Sequence, residues 1–162
     1  MKLAVLIMTV VMFCACAGHR KDPLLMEENR RAALEMQSLQ DLVTSRDIPP
    51  AEFKLGSDVL LPSSFDMLDR VAAILLRYPH LKLIVEGHTC DIGSDERNEQ
   101  LSLQRAGSVK MYLVKKGIYP ESIKVYGFSH ARRVTTDITE RARSLNRRVE
   151  FILTDRDWET VY

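Results

Sequence analysis

The chain has 162 residues, 46% hydrophobic, 28% charged and 7% aromatic, with 23 Lys and Arg against 22 Asp and Glu for a formal net charge of +1. This is enough apolar material for one globular domain with a real core. The balanced charge excludes a disordered polyelectrolyte and argues against a chain built to bind a polyanion.

The first predicted element is a leader. Lys2 precedes an apolar run over residues 3–13, and the small residues Cys14, Ala15, Cys16 and Ala17 follow. The run is shorter than the roughly 20 residues of a membrane-spanning helix. Its charged start, apolar middle and small-residue end read as a secretory signal over residues 1–15. Phe13-Cys14-Ala15-Cys16 resembles a bacterial lipobox, in which cleavage leaves Cys16 as a lipidated first residue. Acyl chains contributing about 0.8 kcal/mol per buried methylene would then anchor the protein without a transmembrane helix. Ala15-Cys16-Ala17 also satisfies the ordinary small-x-small rule, which would release a soluble chain beginning at Gly18. We take Cys16 as the lipid anchor. In either case Cys90 is the one thiol left in the mature chain, so no intramolecular disulfide is expected, and Cys90 is either a small buried filler or a free reactive group.

Residues 16–50 are charged, poor in aromatics and closed by Pro49-Pro50, and read as a tether outside the core. A helix is predicted within it. Pro23 suits a first helical position, and Ala32, Met36, Leu39 and Val43 follow along one face, suited to lying on the domain or spacing it from a membrane. The domain itself is assigned to residues 51–154. Residues 53–55 are expected as a first strand and Gly56-Ser57-Asp58 as a turn. Pro62-Ser63 opens a helix with Ser63 as N-cap, and Phe65, Leu68, Ala72, Leu75 and Leu76 recur at helical spacing as its core face. Tyr78-Pro79 ends it.

Leu81, Leu83 and Val85 alternate with Lys82, Ile84 and Glu86, the period of a strand. After a loop, Asp95 and Glu96 place negative charge at a helix N-terminus, and the helix should run to Lys116, where Gly117 stops it in a left-handed cap. A strand over 123–128, a polar loop over 129–137, a short helix over 138–145 and a last strand over 147–153 complete the order, with a tail at 155–162. The fold class is α/β: β-α-β-α-β-α-β, with helices packed on a mixed sheet.

Function is concentrated in residues 84–105, I-V-E-G-H-T-C-D-I-G-S-D-E-R-N-E-Q-L-S-L-Q-R, a polar loop held between that strand and that helix. At about 100° per residue, Ser102, Ala106, Val109, Tyr112 and Leu113 form one stripe, and Asn98 and Arg105 fall within it. Arg105 is thus aimed inward, where a guanidinium needs a carboxylate to offset its desolvation. That carboxylate is either a protein residue, with Asp91 the nearest candidate, or a ligand fitting the planar fork of donors.

Gly87, His88, Thr89, Gly93, Asn98, Leu101, Ser102, Arg105 and Ala106 stand where the OmpA-like C-terminal domain, a periplasmic module that grips peptidoglycan, carries its motif, and the segment resembles that family. Asn146-Arg147-Arg148-Val149 matches the family's N-R-R signature. The resemblance implies a ligand, diaminopimelate of the peptidoglycan stem peptide. It also implies roles: Arg105 takes the carboxylate, Asn98 supports the site, Arg147 is the first signature arginine, and Thr89 and Cys90 lie on the contacting loop. Cys90 stands where the family has its aspartate. Because Gly93 keeps its register this is a substitution, and neighbouring Asp91 is expected to turn in and receive the ligand ammonium. His88 is expected as a hydrogen-bonding support. Ala17 is not the aspartate that signals inner-membrane retention, so the resemblance places the protein at the periplasmic face of the outer membrane, bound to wall and membrane.

Other classes fit less well. His88, Cys90 and Asp91, even with His80 or His130, lack the paired spacing of a zinc site, so no metal or other cofactor is expected. Arg132, Arg133, Arg141, Arg143, Arg147 and Arg148 are interrupted by Asp137 and Glu140 without an aromatic platform, which reads as a solvated face and not a nucleic-acid surface. Absence of a nucleophile elbow or a paired catalytic carboxylate context gives the expectation of a non-enzyme. An envelope scaffold that docks a protein partner through the same fold is the alternative that Cys90 leaves open.

Overall fold

The computed structural model describes residues 22–160, so the leader and Cys16 lie outside the described residues. Its elements are α1 (Pro23–Thr44), α2 (Phe65–Arg77), β1 (Lys82–Gly87), α3 (Asp95–Lys115), β2 (Ile123–Gly127), α4 (Glu140–Asn146) and β3 (Val149–Thr154), with short 3-10 turns at Pro62–Ser64, Pro120–Ser122 and Trp158–Thr160. The sheet runs β2-β1-β3. β1 pairs in parallel with β2 and antiparallel with β3. The β1-α3-β2 crossover lays α3 across the sheet, and Leu83, Val85 and Phe151 meet Ala106, Val109 and Leu113 in one core.

The first strand expected at 53–55 is reduced to an isolated antiparallel bridge between Phe53 and Leu60. Its backbone is committed to a local turn instead: Lys54 N–H donates to Val59 O at 2.9 Å and Ser57 N–H to Lys54 O at 3.0 Å. The cap of α2 also differs. Ser64 occupies the N-cap position, its hydroxyl donating to Glu52 O at 2.9 Å, while Ser63 donates to the Glu52 carboxylate at 2.6 Å. Within α2 the buried face is Met67, Leu68, Val71, Ala72, Ile74 and Leu75. Leu76, one residue and about 100° past Leu75, is exposed. Phe65, at the first turn, overhangs the core and stacks on Tyr112 with ring centroids 5.1 Å apart. α4 begins at Glu140, not 138, because the Thr139 side chain caps it by accepting from Ala142 N–H. The last strand begins at Val149, since Arg147 serves as C-cap of α4.

The largest departure concerns the tether. Asp22 caps α1 by accepting from Leu24 N–H at 2.9 Å, and the stripe of Ala32, Met36 and Leu39 is buried in the domain core, beside α2. Glu35 takes Arg77 at 2.7 Å and the Tyr78 hydroxyl at 2.9 Å, and Gln40 donates to Phe151 O at 3.2 Å on the edge strand. From Pro23 onward this segment is therefore part of the domain. The tail is likewise seated: the Trp158 ring lies beneath Lys82 and Lys124, at 5.3 and 5.0 Å, and its indole N–H donates to Glu121 O at 2.8 Å. No helix among the described residues is long and apolar enough to cross a membrane.

Because Met36 is a core residue and not part of a free spacer, Met36→Ala should lower unfolding free energy by about 2–5 kcal/mol. Urea denaturation of the two proteins measures this, and an unchanged midpoint would return α1 to the role of tether.

Candidate functional site

The site is built on a bare patch of sheet. Gly87 and Gly127 are register partners at the ends of β1 and β2, and α3 rests on them at Ser102. A Cβ at Gly87 would overlap the Ser102 backbone carbonyl, and one at Gly127 would lie 2.6 Å from the Ser102 Oγ and 2.7 Å from Leu103 N. Ser102 Oγ accepts from Ser129 N–H at 3.1 Å and donates to Glu99 O at 2.8 Å, tying helix to loop. This close seat brings the N-terminal half of α3, with Asn98 and Arg105, against the loop that leaves β1.

The loop is fixed from both sides. His88 N–H donates to Arg148 O at 2.9 Å and Thr89 N–H to Ser129 O at 2.8 Å. Asn98, 3% exposed, donates its side-chain amide to Ile92 O at 3.1 Å and Cys90 O at 3.4 Å, and so holds the loop in place. The His88 ring works differently from expectation: both ring nitrogens are buried without a hydrogen-bond partner, and it stacks on Phe128 at 5.7 Å. Burial, then the Arg148 charge, holds its pKa below the ordinary value and keeps it neutral.

Arg105 is 5% exposed. Its Nε donates to Ser57 O at 3.1 Å and its guanidinium lies 5.1 Å from the centre of the Phe53 ring, but among the described residues it has no carboxylate within ion-pair distance. Burial pulls its pKa down and the nearby Arg147 guanidinium pulls it further, while Cys90 and Asp58 partly oppose. Arg147 is itself near Cys90. Burial works against its charge, but the Glu140 carboxylate, hydrogen-bonded at 2.5 Å, and the Cys90 thiol leave its pKa raised. Cys90 is buried beside these cations, and Thr89, the residue before it, is buried with its hydroxyl lacking a hydrogen-bond partner. Arg105, Arg147, Cys90 and Asn98 are thus brought together.

Asp91 is not. Its carboxylate is clasped by Arg143 through Nε at 2.9 Å and Nη2 at 3.1 Å, so it neither partners Arg105 nor turns into the seat opposite Cys90. That hydrogen-bonded pairing holds its pKa down to about 2, against opposing burial. Arg143 was read as part of a solvated face. Its spacing of four from Arg147 across a helix turn was the available signal, since such residues share a side.

Comparison with known proteins bears on family and fold. The model of the OmpA family matches residues 52–147. The chain belongs to the OmpA family. Its relatives include the peptidoglycan-associated lipoprotein of Pseudomonas aeruginosa, 34% identical over 113 residues, which are 70% of this chain and 67% of that one. Outer membrane porin F of Pseudomonas fluorescens is 38% identical over 99 residues, 61% of this chain and 30% of the porin, and peptidoglycan-binding protein ArfA of Mycobacterium tuberculosis is 32% identical over 119 residues, 74% of this chain and 36% of that one. The chain therefore spans about a third of the length of these last two. Among solved structures, the peptidoglycan-associated lipoprotein of Burkholderia pseudomallei superposes with a TM-score of 0.62 at 21% identity, covering 64% of this chain and 88% of that one. At that identity the likeness speaks for the fold: the OmpA-family arrangement of helices on a mixed sheet.

Within this OmpA-family domain one further polar group includes two buried residues, Glu86 and His88. On the sheet face opposite the helices, Glu86, His88 and Glu150 offer ligand-type atoms within 4.8 Å of one another. Arg132 meets Glu86 at 3.1 Å and Arg148 meets Glu150 at 2.5 Å, so both carboxylates are already balanced by cations and the group reads as a polar knot. The trio His88, Cys90 and Asp91 considered from sequence does not converge as such, because Asp91 is held by Arg143.

Two outcomes are expected. Gly87→Ala forces α3 off the sheet and should destabilise the fold by about 1–3 kcal/mol, the usual range for overpacking, as measured by thermal and urea melts. Asp91 has its folded pKa depressed from 3.8 to about 2, so its stabilisation is complete above the upper value and disappears as pH falls through the lower one. Wild type should therefore lose stability towards pH 2 more steeply than Asp91→Asn, and parallel pH profiles would show that the Arg143 pair contributes nothing.

Proposed function

We propose that this protein is an envelope lipoprotein whose domain holds peptidoglycan without covalent chemistry, gripping a stem-peptide carboxylate with Arg105 and taking diaminopimelate as the source of that carboxylate. The observation that carries this is the Arg105 guanidinium, 5% exposed and without a carboxylate partner among the described residues. A buried cation left in this state is costly, and a planar bidentate acid is its natural complement. Arg147 supplies a second positive charge beside Arg105. Relatives whose names record peptidoglycan association support the reading, as does the lipobox-like segment ending at Cys16, which would anchor the chain at the periplasmic face of the outer membrane. Nothing in the proposed role requires a reaction at the wall, and we read the protein as a binder and not an enzyme.

The enforced pairing of Asp91 with Arg143 favours one alternative, a scaffold that uses the fold to dock an envelope protein and binds wall weakly. Sedimentation with purified sacculi separates the two. Wild type should co-sediment and be displaced by free diaminopimelate, while Arg105→Ala, still folded by circular dichroism, should bind at least about tenfold more weakly, the loss typical of one charged hydrogen-bonding partner. Equal sedimentation of both proteins would remove the wall-gripping role.

A further inference from the structure

We propose that the groove between α1 and the outer edge of β3 takes a short, uncharged, extended peptide, which joins the sheet as a fourth strand beside β3. This site shares no residue with the wall-binding reading of Arg105 and stands without it.

β3 lies at the margin of the β2-β1-β3 sheet. Arg148 O accepts from His88 N–H at 2.9 Å, so residues 148, 150 and 152 turn their backbone groups towards β1, while Val149, Phe151 and Leu153 turn theirs outward. The Gln40 carboxamide, arriving from α1, donates to Phe151 O at 3.2 Å and marks the same outward direction. Among the described residues it is the one hydrogen bond those outward groups make. Its amide N–H stands in for the backbone N–H of a neighbouring strand.

This edge opens on a groove of about 600 Å³, walled by Ala33, Met36, Gln40 and Val43 of α1, by Pro50 and Ala51, and by residues 148–153. Side chains of a strand alternate between the two faces of its sheet, so an unbroken run of lining residues presents the strand's edge, with its N–H and C=O groups. What completes such an edge is another strand. α1 runs antiparallel to β3, with Asn29 donating to Asp155 at 3.0 Å and Gln40 to Phe151 O. A second copy offering its own β3 would carry its α1, held by the same contacts, into the same space. One strand and one helix face also fall short of the roughly 20–30 residues a side of a stable interface between folded proteins. The occupant is therefore a short segment.

The lining sets its chemistry. Arg148 and Glu150, the charged residues of the groove, hold each other at 2.5 Å, so a charged side chain would lose water without gaining a partner. In antiparallel pairing, the residues bonded to Val149, Phe151 and Leu153 carry their side chains on the core side, beside Met36 and Val43, and are apolar. The alternate residues lie on the side of Glu150 and Ile152 and are polar without charge.

NMR titration of the full chain tests this with an acetylated, amidated hexapeptide alternating valine and threonine. In the free protein the Val149, Phe151 and Leu153 amides should exchange with solvent faster than those of Glu150 and Ile152, and saturating peptide should slow them by at least about tenfold. N-methylation of the peptide's valines, whose backbone faces β3, should weaken binding by at least about tenfold, and N-methylation of its threonines by less than about threefold. Outward amides already protected without peptide would overturn the proposal, as would the absence of any shift in them at millimolar peptide. Equal binding of the valine-methylated peptide would overturn it too, by making the groove a seat for apolar groups only. Concentration-dependent sedimentation of the free chain, with shifts at the same amides, would make a second copy the occupant and overturn the peptide.

Discussion

The close seat of α3 on two paired glycines is the constraint from which the rest of the site follows. With Gly87 and Gly127 side by side, the helix backbone approaches the sheet at Ser102 to a distance no Cβ would permit. The Ser102 hydroxyl then locks the helix to the loop after β2, and Asn98, one turn earlier, pins the loop after β1. Arg105, nearly one turn later, is carried into the same narrow space and loses most of its water. A longer helix-to-sheet distance would leave that guanidinium solvated and without any need for a ligand.

That buried cation explains the electrostatic character of its surroundings. The fold satisfies one nitrogen with a backbone carbonyl and places an aromatic face beside the group, which eases burial without cancelling the charge. Acids elsewhere are drawn off by other arginines: Asp91 by Arg143, Glu140 by Arg147, Glu86 by Arg132 and Glu150 by Arg148. Those pairs stiffen α4 and the two loops that frame the site. Asp91 and Glu140 in particular are thereby held by Arg143 and Arg147 and not by Arg105.

The helix α1 gives the domain a further layer. Its small-and-apolar stripe packs beside α2, and its polar contacts reach Arg77, Tyr78 and the Phe151 carbonyl. With Cys16 lipidated as proposed, the segment between anchor and folded domain would be shorter than the span from residue 16 to residue 50, and the proposed wall-binding site would stand correspondingly nearer the membrane.

The linear chain by itself determined the periodic elements and the identity of the inward-facing residues of α3, because a 3.6-residue stripe and a two-residue alternation are properties of local geometry. The motif from Gly87 to Arg105 was legible for the same reason: its spacing follows a single strand, loop and helix. Tertiary structure decided the matters that depend on which distant groups meet. Whether Ala32, Met36 and Leu39 face water or core depends on an available surface on α2 and β3. Residues 53–55 form no sheet strand because their hydrogen bonds are taken by a local turn. Asp91 faces Arg143 across 52 residues of chain, a choice made by the position of α4 and invisible to any adjacent-residue pattern. An amphipathic stripe declares that a face must be covered, and a buried charge that it must be paired; only the folded arrangement names the covering element and the partner.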